Sequence, residues 1–592
     1  DYDRPHAYHY RDFVIKALNQ DLPYDKFVQW QLAGDELEPD NLDALVATGF
    51  NRLWPDEYNA ANLEQRRQEI LDDMTDTTGF VFLGLTFACA RCHDHKYDPI
   101  LQKDYFRLQA FFSGFKPRDD TPALEPAARK KYEEQFRAWE DATKDIHDEM
   151  EKIVGPRRAE IRKKNLEKFR PEILECVNTP PEKRTPYQWQ IALMAEKQAG
   201  TKGLTTKALT DKLPEDQKKR YQELEKQLAA AEPPAPQPPP FVMSISDLGR
   251  EAPPVHLLQG GDWRKPKDLL EPGFPGFLGG GKVDRSLPDG VESTGLRAAL
   301  ARWLTRKDHP LMARVMVNRL WQHHFGNGIV GTPNDFGTLG GEPTHPALLD
   351  WLAVEFVEHG WSLKHLHKLM VTSAAYCQDS AVDPNSPAHK KALAADRENH
   401  LLWHANRRRL EGEALRDAML AISGELNLRM YGVSARPKLP EKVSSYAWKP
   451  DAKAEDQNRR SVYVFVKRNM RYPLFDAFDW PDLHNSCGRR SVTTTAPQAL
   501  LLLNGDFTKE RADKLGTNLL INYGDDDAAL VAHGYRAAWG RAATADEIKL
   551  GVSFIAKQTA RLEVKRGASA RAGAVADFCH ALLNTNEFLY VD

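Results

Sequence analysis

The sequence predicts a mainly α, multi-domain protein of helical bundles with small β elements, and three observations carry the prediction. At 592 residues the chain exceeds what one hydrophobic core serves, so two to four domains are expected. Apolar residues recur at helical spacing over most of it, as in Leu348, Leu349, Leu352 and Phe356. Proline- and glycine-rich stretches separate helical tracts of different composition.

Taken in order, residues 1–118 read as helices joined by short loops. There the acid-rich stretch Leu63 to Asp76 leads into a buried-looking run of Phe80, Phe82, Leu83, Leu85 and Phe87. Residues 119–231 are dominated by Glu and Lys at three- and four-residue spacing, which predicts a solvated helical insert, an antiparallel pair in its simplest form. The prolines of 232–240 predict a stiff linker. The remainder, 241–592, reads as mostly helical with small β segments. Val255-His256-Leu257-Leu258 is a strand candidate and Ser461-Val462-Tyr463-Val464-Phe465-Val466 a buried one. Helices are expected from Thr495 to Leu503, Ala528 to Leu562 and Ala572 to Leu583.

Composition narrows the function classes. Apolar residues are 41% and charged residues 28% of the chain, ordinary for folded proteins. The net charge of −3 supplies no global positive field, so nucleic acid is not an expected partner. The longest apolar run, Gly79 to Ala90, is too short to span a bilayer, so no transmembrane segment is expected in this chain. Asp1 is followed by no charged-then-apolar leader, which predicts a processed or truncated product. Of six cysteines, Cys89, Cys92, Cys176, Cys377, Cys487 and Cys579, only the first two lie close together, so a disulfide scaffold is not expected.

The chemistry concentrates at Cys89-Ala90-Arg91-Cys92-His93. Two thiols three positions apart can each add to one vinyl group of a porphyrin while the next histidine reaches the iron, so this order and spacing are those of covalent haem c attachment. Cys89, Cys92 and His93 are the expected cofactor-binding residues, with His93 on the haem iron. The alternative is a non-haem site for zinc or another divalent metal on Cys89, Cys92, His93 and His95, serving a hydrolase or binding module. A thioredoxin-like dithiol lacks the βαβ context that chemistry needs. A third reading is a surface interaction protein in which the motif serves stability alone.

Around the motif, Glu69, Asp73 and Asp76 fall on one helical face, with Asp72 beside them; they read first as solvated acids on an exposed face, and alternatively a carboxylate there could hold the far nitrogen of His93. His323, His324, His365 and His367 are the later histidines from which an opposite axial ligand could come, since His95 lies on the wrong side of the ring. Arg489 and Arg490 could bind an anion or pair with nearby acids.

Beyond these residues the chain resembles a known pair of domains. Arg4-Pro5, Tyr10-Arg11-Asp12, Leu22-Pro23-Tyr24-Asp25, Gln31-Leu32-Ala33-Gly34-Asp35, and Gly84-Leu85-Thr86 ahead of Cys89-Ala90-Arg91-Cys92-His93-Asp94-His95-Lys96-Tyr97-Asp98-Pro99 are similar to the second planctomycete cytochrome-c-like domain. Ala313-Arg314-Val315-Met316-Val317-Asn318-Arg319-Leu320-Trp321, Gly331-Thr332-Pro333, Thr344-His345-Pro346, Arg407-Arg408-Arg409-Leu410-Glu411 and Thr495-Ala496-Pro497-Gln498-Ala499-Leu500 resemble the planctomycete surface-type domain of unknown function that follows it. The resemblance implies an exported protein, periplasmic or at the cell surface, with a haem cofactor and a further small domain upstream. The expected function is electron transfer with a redox partner protein, or a haem-linked oxidoreductase acting on an extracellular polymer or small organic molecule.

Overall fold

The structure is a computed structural model and describes residues 4–55, 57, 59–200, 204–440, 443 and 447–591. It is mainly α: helices carry both compact units, and the strands form three two-stranded antiparallel ribbons among the described residues. One unit comprises residues 4–320 and 328–368, the other 321–327 and residues from 369 on. Among the described residues, no helix is long and apolar enough to cross a membrane.

In the first unit, the helices Tyr8–Asn19, Tyr24–Leu37 and Leu42–Ala47 surround Phe13, Trp30 and Val46, with Phe13 and Phe27 stacked at 5.7 Å. The helix Leu63–Thr78 starts at Asn62, whose side-chain oxygen accepts the backbone N–H groups of Glu64 and Gln65, both at 3.1 Å. A π-helical turn, Gly79–Leu83, extends it and buries Phe82 and Leu83. Gly84 stops it in the left-handed region at φ 59°, where a Cβ would stand 2.9 Å from atoms of both Phe336 and Val315, so conformation and space both require glycine.

The strand Phe115–Pro122 pairs antiparallel with Phe241–Asp247, Phe115 opposite Asp247 and Pro122 opposite Phe241. The charged stretch and the proline segment therefore leave and re-enter at the open end of one ribbon, where the Ala123 N–H donates to the Pro240 carbonyl at 2.7 Å. Within the insert, the helix Pro126–Leu166 runs antiparallel to Glu215–Ala229, with Glu149 bonded to Arg220 at 2.7 Å. Leu166, Phe169, Ile173, Cys176 and Ile191 of the insert form a small core together with Ala60 and Leu63 of the first helical tract. The expected strand Val255–Leu258 is present and pairs with Pro266–Leu270.

A buried charge cluster ties three distant segments of this unit together. Arg297, on the helix Leu296–Leu304, is fully enclosed and bonds both oxygens of Asp35 at 2.7 and 2.8 Å and Asp247 at 3.0 Å, with Glu36 at 3.6 Å. One cation faces three carboxyl groups, so it cannot compensate all three charges. Burial, with Asp247 and Asp35 adding to it against the pull of Arg297, pushes Glu36 from 4.5 up to about 8. The sign of the linkage follows: the folded state holds a proton that the unfolded chain releases, so stability falls as pH rises from about 4.5 to about 8 and is level above. Urea unfolding across that range is expected to show this decline, and Glu36→Gln, which keeps a neutral side chain beside Ser293 and the Ala298 N–H, is expected to flatten it. An equal slope in the variant would assign the proton elsewhere.

In the second unit, the helices Asp506–Tyr523, Asp527–Trp539, Ala545–Arg566 and Ala570–Leu583 close around Leu515, Leu530, Val531 and Phe578. Gly516 lets two of them meet, since a Cβ there would lie 3.1 Å from the Ala576 nitrogen. Two expectations are corrected here. The single helix expected from Ala528 to Leu562 is two, because Gly540 ends the first in the left-handed region and Thr544 caps the second in a reciprocal box with Glu547. The buried strand expected at 461–466 is a 3-10 turn, Ser461–Tyr463, with Val462 and Val466 exposed. Among the described residues its backbone pairs outside the segment with Ala435, through two bonds, while Arg459 occupies the loop carbonyls of Arg429, Tyr431 and Val433.

Candidate functional site

The motif lies on a 3-10 helix, Phe87–Arg91, with Cys92 as its last cap. Three residues per turn set positions i and i+3 on one face. Phe87 and Ala90 therefore turn inward together and are fully buried, and this forces Cys89 and Cys92 out on another face, where both are exposed free thiols. The turn is held at both ends: the Cys89 N–H donates to Thr86, and Gln102 Nε2 donates to the carbonyls of Arg91 at 2.9 Å and Leu258 at 2.8 Å. Gly261, at φ 73°, brings the hairpin turn against the motif, and a Cβ on it would lie 3.0 Å from Cys92 Sγ.

His93 is exposed, and its Nδ1 lies 2.7 Å from the Asp94 carbonyl oxygen. A carbonyl only accepts, so the proton is on Nδ1 and the lone pair of the neutral ring on Nε2. His95 is a different kind of residue. Its side chain is buried, its Nδ1 accepts the Asp98 N–H at 2.8 Å, and its Nε2 donates to Thr86 Oγ1 at 3.1 Å. The Asp98 carboxylate stands farther from that Nδ1, at 3.3 Å, and accepts the Thr338 N–H at 2.6 Å. With both ring nitrogens committed, His95 braces the loop, and the four residues of the non-haem alternative do not gather ligand atoms around one point.

Of the acids of the preceding helix, Asp72 is buried and holds the motif through Arg91 rather than through His93, and of the four only Glu69 lies on the exposed, solvated face the sequence suggests for them. Asp72 takes Arg91 at 3.2 Å, and the Tyr105 hydroxyl reaches Asp72 at 3.2 Å and Asp76 at 3.0 Å. Gln68 and Gln109 donate to Asp72 at 2.9 and 2.8 Å. Burial raises Asp73 to about 6 and Asp76 to about 7, Arg91 opposing the second shift. Glu69 is exposed and bonds Gln65 and Arg66 on its own helix. A polar cavity of about 500 Å³ opens beside Arg91, lined by Gln65, Gln68, Glu69, Asp72 and Trp263 among others.

The other expected residues lie apart from the motif's contacts. His365 bonds Glu355 at 2.9 Å, and burial lowers the pKa of His367. His323 and His324 end the helix Met312–Phe325 in the second unit, where the His324 ring meets Tyr376 edge-on at 5.8 Å. Arg490 pairs with both oxygens of Glu413 at 2.8 and 3.0 Å and with Glu411, so its role is structural. Sequence reasoning missed Tyr105, Gln102 and Gly261, which hold the motif from positions with no local signal. It also missed the group of Glu355, His359 and His365, for which Glu355 and His359 at helical spacing are a readable sign.

No curated protein and no solved structure matches the chain. Residues 1–116 match the family model described as a protein of unknown function, DUF1549 (PSCyt2), and residues 296–555 match the one described as a protein of unknown function, DUF1553 (PSD1). The two matches occur in the order in which the sequence motifs of the two domains occur.

Proposed function

We propose that Cys89, Cys92 and His93 hold a covalently attached haem c and that the protein is an extracytoplasmic electron carrier working with a redox partner protein. The observation that carries this reading is the face of the 3-10 turn: it presents both thiols to solvent three positions apart, with the next imidazole exposed and its lone pair on Nε2. The donor set fits: the two thiols would be the attachment points and His93 Nε2 would bind the iron, and the Nδ1 bond to a backbone carbonyl is the support that fixes such a ring's tautomer. When bound, the group supplies one-electron transfer.

The protein's own residues fix where that happens. Phe87 and Ala90 anchor the turn, Asp72 holds Arg91 between the thiols, and Gly261 leaves room at Cys92. The exposed motif gives a partner access without an opening movement. The polar cavity beside Arg91, with Trp263 in its wall, is where a polar organic donor, polymer or small molecule, would approach.

Made in a host that attaches haem, His93→Ala is expected to keep its two thioether links and lose its protein ligand, which optical and EPR spectra read as a change of spin state. Spectra identical to those of the unsubstituted protein would remove His93 from the iron.

A further inference from the structure

A second set of ligand-type side chains converges well away in sequence from the cysteine motif. The helix Pro346–Glu358 ends at His359, and the helix Leu363–Val371 begins four residues later. Between them Gly360 and Trp361 are both left-handed, at φ 69° and 58°. A left-handed tryptophan is uncommon and is kept only where surroundings over-determine it. Trp361 is buried against Phe356, its N–H donates to the Phe356 carbonyl at 2.8 Å, and its carbonyl accepts from Tyr24 at 3.0 Å. Asp21 fixes the second helix by accepting the Lys364 N–H at 3.0 Å and the Ser362 hydroxyl at 2.5 Å.

This tight corner folds His365 back over the end of the first helix. His359 and His365 stack at 4.2 Å between centroids and 5° between planes, and Glu355 lies one helical turn before His359. One carboxylate oxygen of Glu355 is 3.2 Å from His359 Nδ1 and 2.9 Å from His365 Nε2, and the Glu355 backbone carbonyl oxygen is 3.0 Å from the same Nδ1, so without a metal that nitrogen carries the ring proton, which moves to Nε2 when an ion takes its place. Ligand atoms from the three side chains all lie within 4.8 Å of one another, and this is the one such group of three among the described residues. With zinc bonds of about 2.0–2.2 Å, neighbouring ligands of one tetrahedral ion stand roughly 3.3 Å apart, so the contact to His359 is already near that spacing and the hydrogen-bonded contact to His365 has to open by a few tenths of an ångström.

We propose that Glu355, His359 and His365 form a binding site for a divalent transition-metal cation of the zinc class. Two imidazoles and a carboxylate are the borderline donors such ions prefer to calcium or magnesium. Three protein ligands leave a fourth position open, and the half-exposed His359 and His365 put that position on the solvent side. The site is independent of haem at the cysteine motif.

The test is calorimetric titration of the full chain with Zn2+ alone, the thiols blocked beforehand by iodoacetamide. One binding event per chain is expected, and His359→Gln, His365→Gln and Glu355→Gln are each expected to weaken it at least about tenfold. Circular dichroism melting curves matching the parent show that the variants are folded. No saturable event, or one of unchanged affinity in both histidine variants, would overturn the proposal.

Discussion

Replacing Arg297 by methionine is expected to remove about 3–5 kcal/mol of unfolding free energy. A buried ion pair adds little over a well-packed apolar pair, but removal of one partner strands the other's charge away from water, and Arg297 has three partners. Without it, Asp35 and Asp247 are left facing each other in an enclosed site, and the Leu32 carbonyl loses one of its donors, at 3.2 Å. These residues come from the helix Tyr24–Leu37, the strand Phe241–Asp247 and the helix Leu296–Leu304, so the loss is felt by the whole first unit. Urea unfolding measures it directly. Adding Asp35→Asn and Asp247→Asn to Arg297→Met is expected to recover part of the loss, because the stranded charges go with the cation. A loss below about 1 kcal/mol for the single variant would mean that water reaches the cluster.

The other large effect is all-or-none. In a host competent to attach haem, the double variant Cys89→Ala, Cys92→Ala is expected to carry no covalent pigment, while each single variant retains one thioether link. The fold is expected to survive, since the exposed thiols contribute no buried apolar surface; Phe87 and Ala90 hold the turn. Mass spectrometry of the denatured chain reads the outcome. Pigment at the parent level in the double variant would place the attachment elsewhere.

Much of the fold was legible because it rests on local periodicity. The spacing of Leu348, Leu349, Leu352 and Phe356 marks a helix that forms as Pro346–Glu358, and the apolar run at Val255–Leu258 marks a real strand. What failed depends on partners remote in sequence. The run 461–466 has strand composition but no neighbouring edge beyond Ala435, and the pairing of Phe115 with Asp247 brackets more than a hundred residues of insert. The cysteine motif could be read in place, whereas its support could not. Nothing local says that Asp72 would take Arg91, or that His95 would turn inward to Thr86. Likewise Glu355 and His359 share a helix face by spacing, but His365 joins them only because Trp361 adopts a left-handed backbone that no residue preference predicts.

The most direct test of the central claim is the absorbance of the full chain, purified from a haem-attaching host, before and after acid–acetone extraction. Two thioether bonds at Cys89 and Cys92 predict that the colour stays with the precipitated protein and that dithionite brings up a sharp α-band. A colourless chain from that host, or a pigment that leaves with the solvent, would contradict covalent haem at this motif.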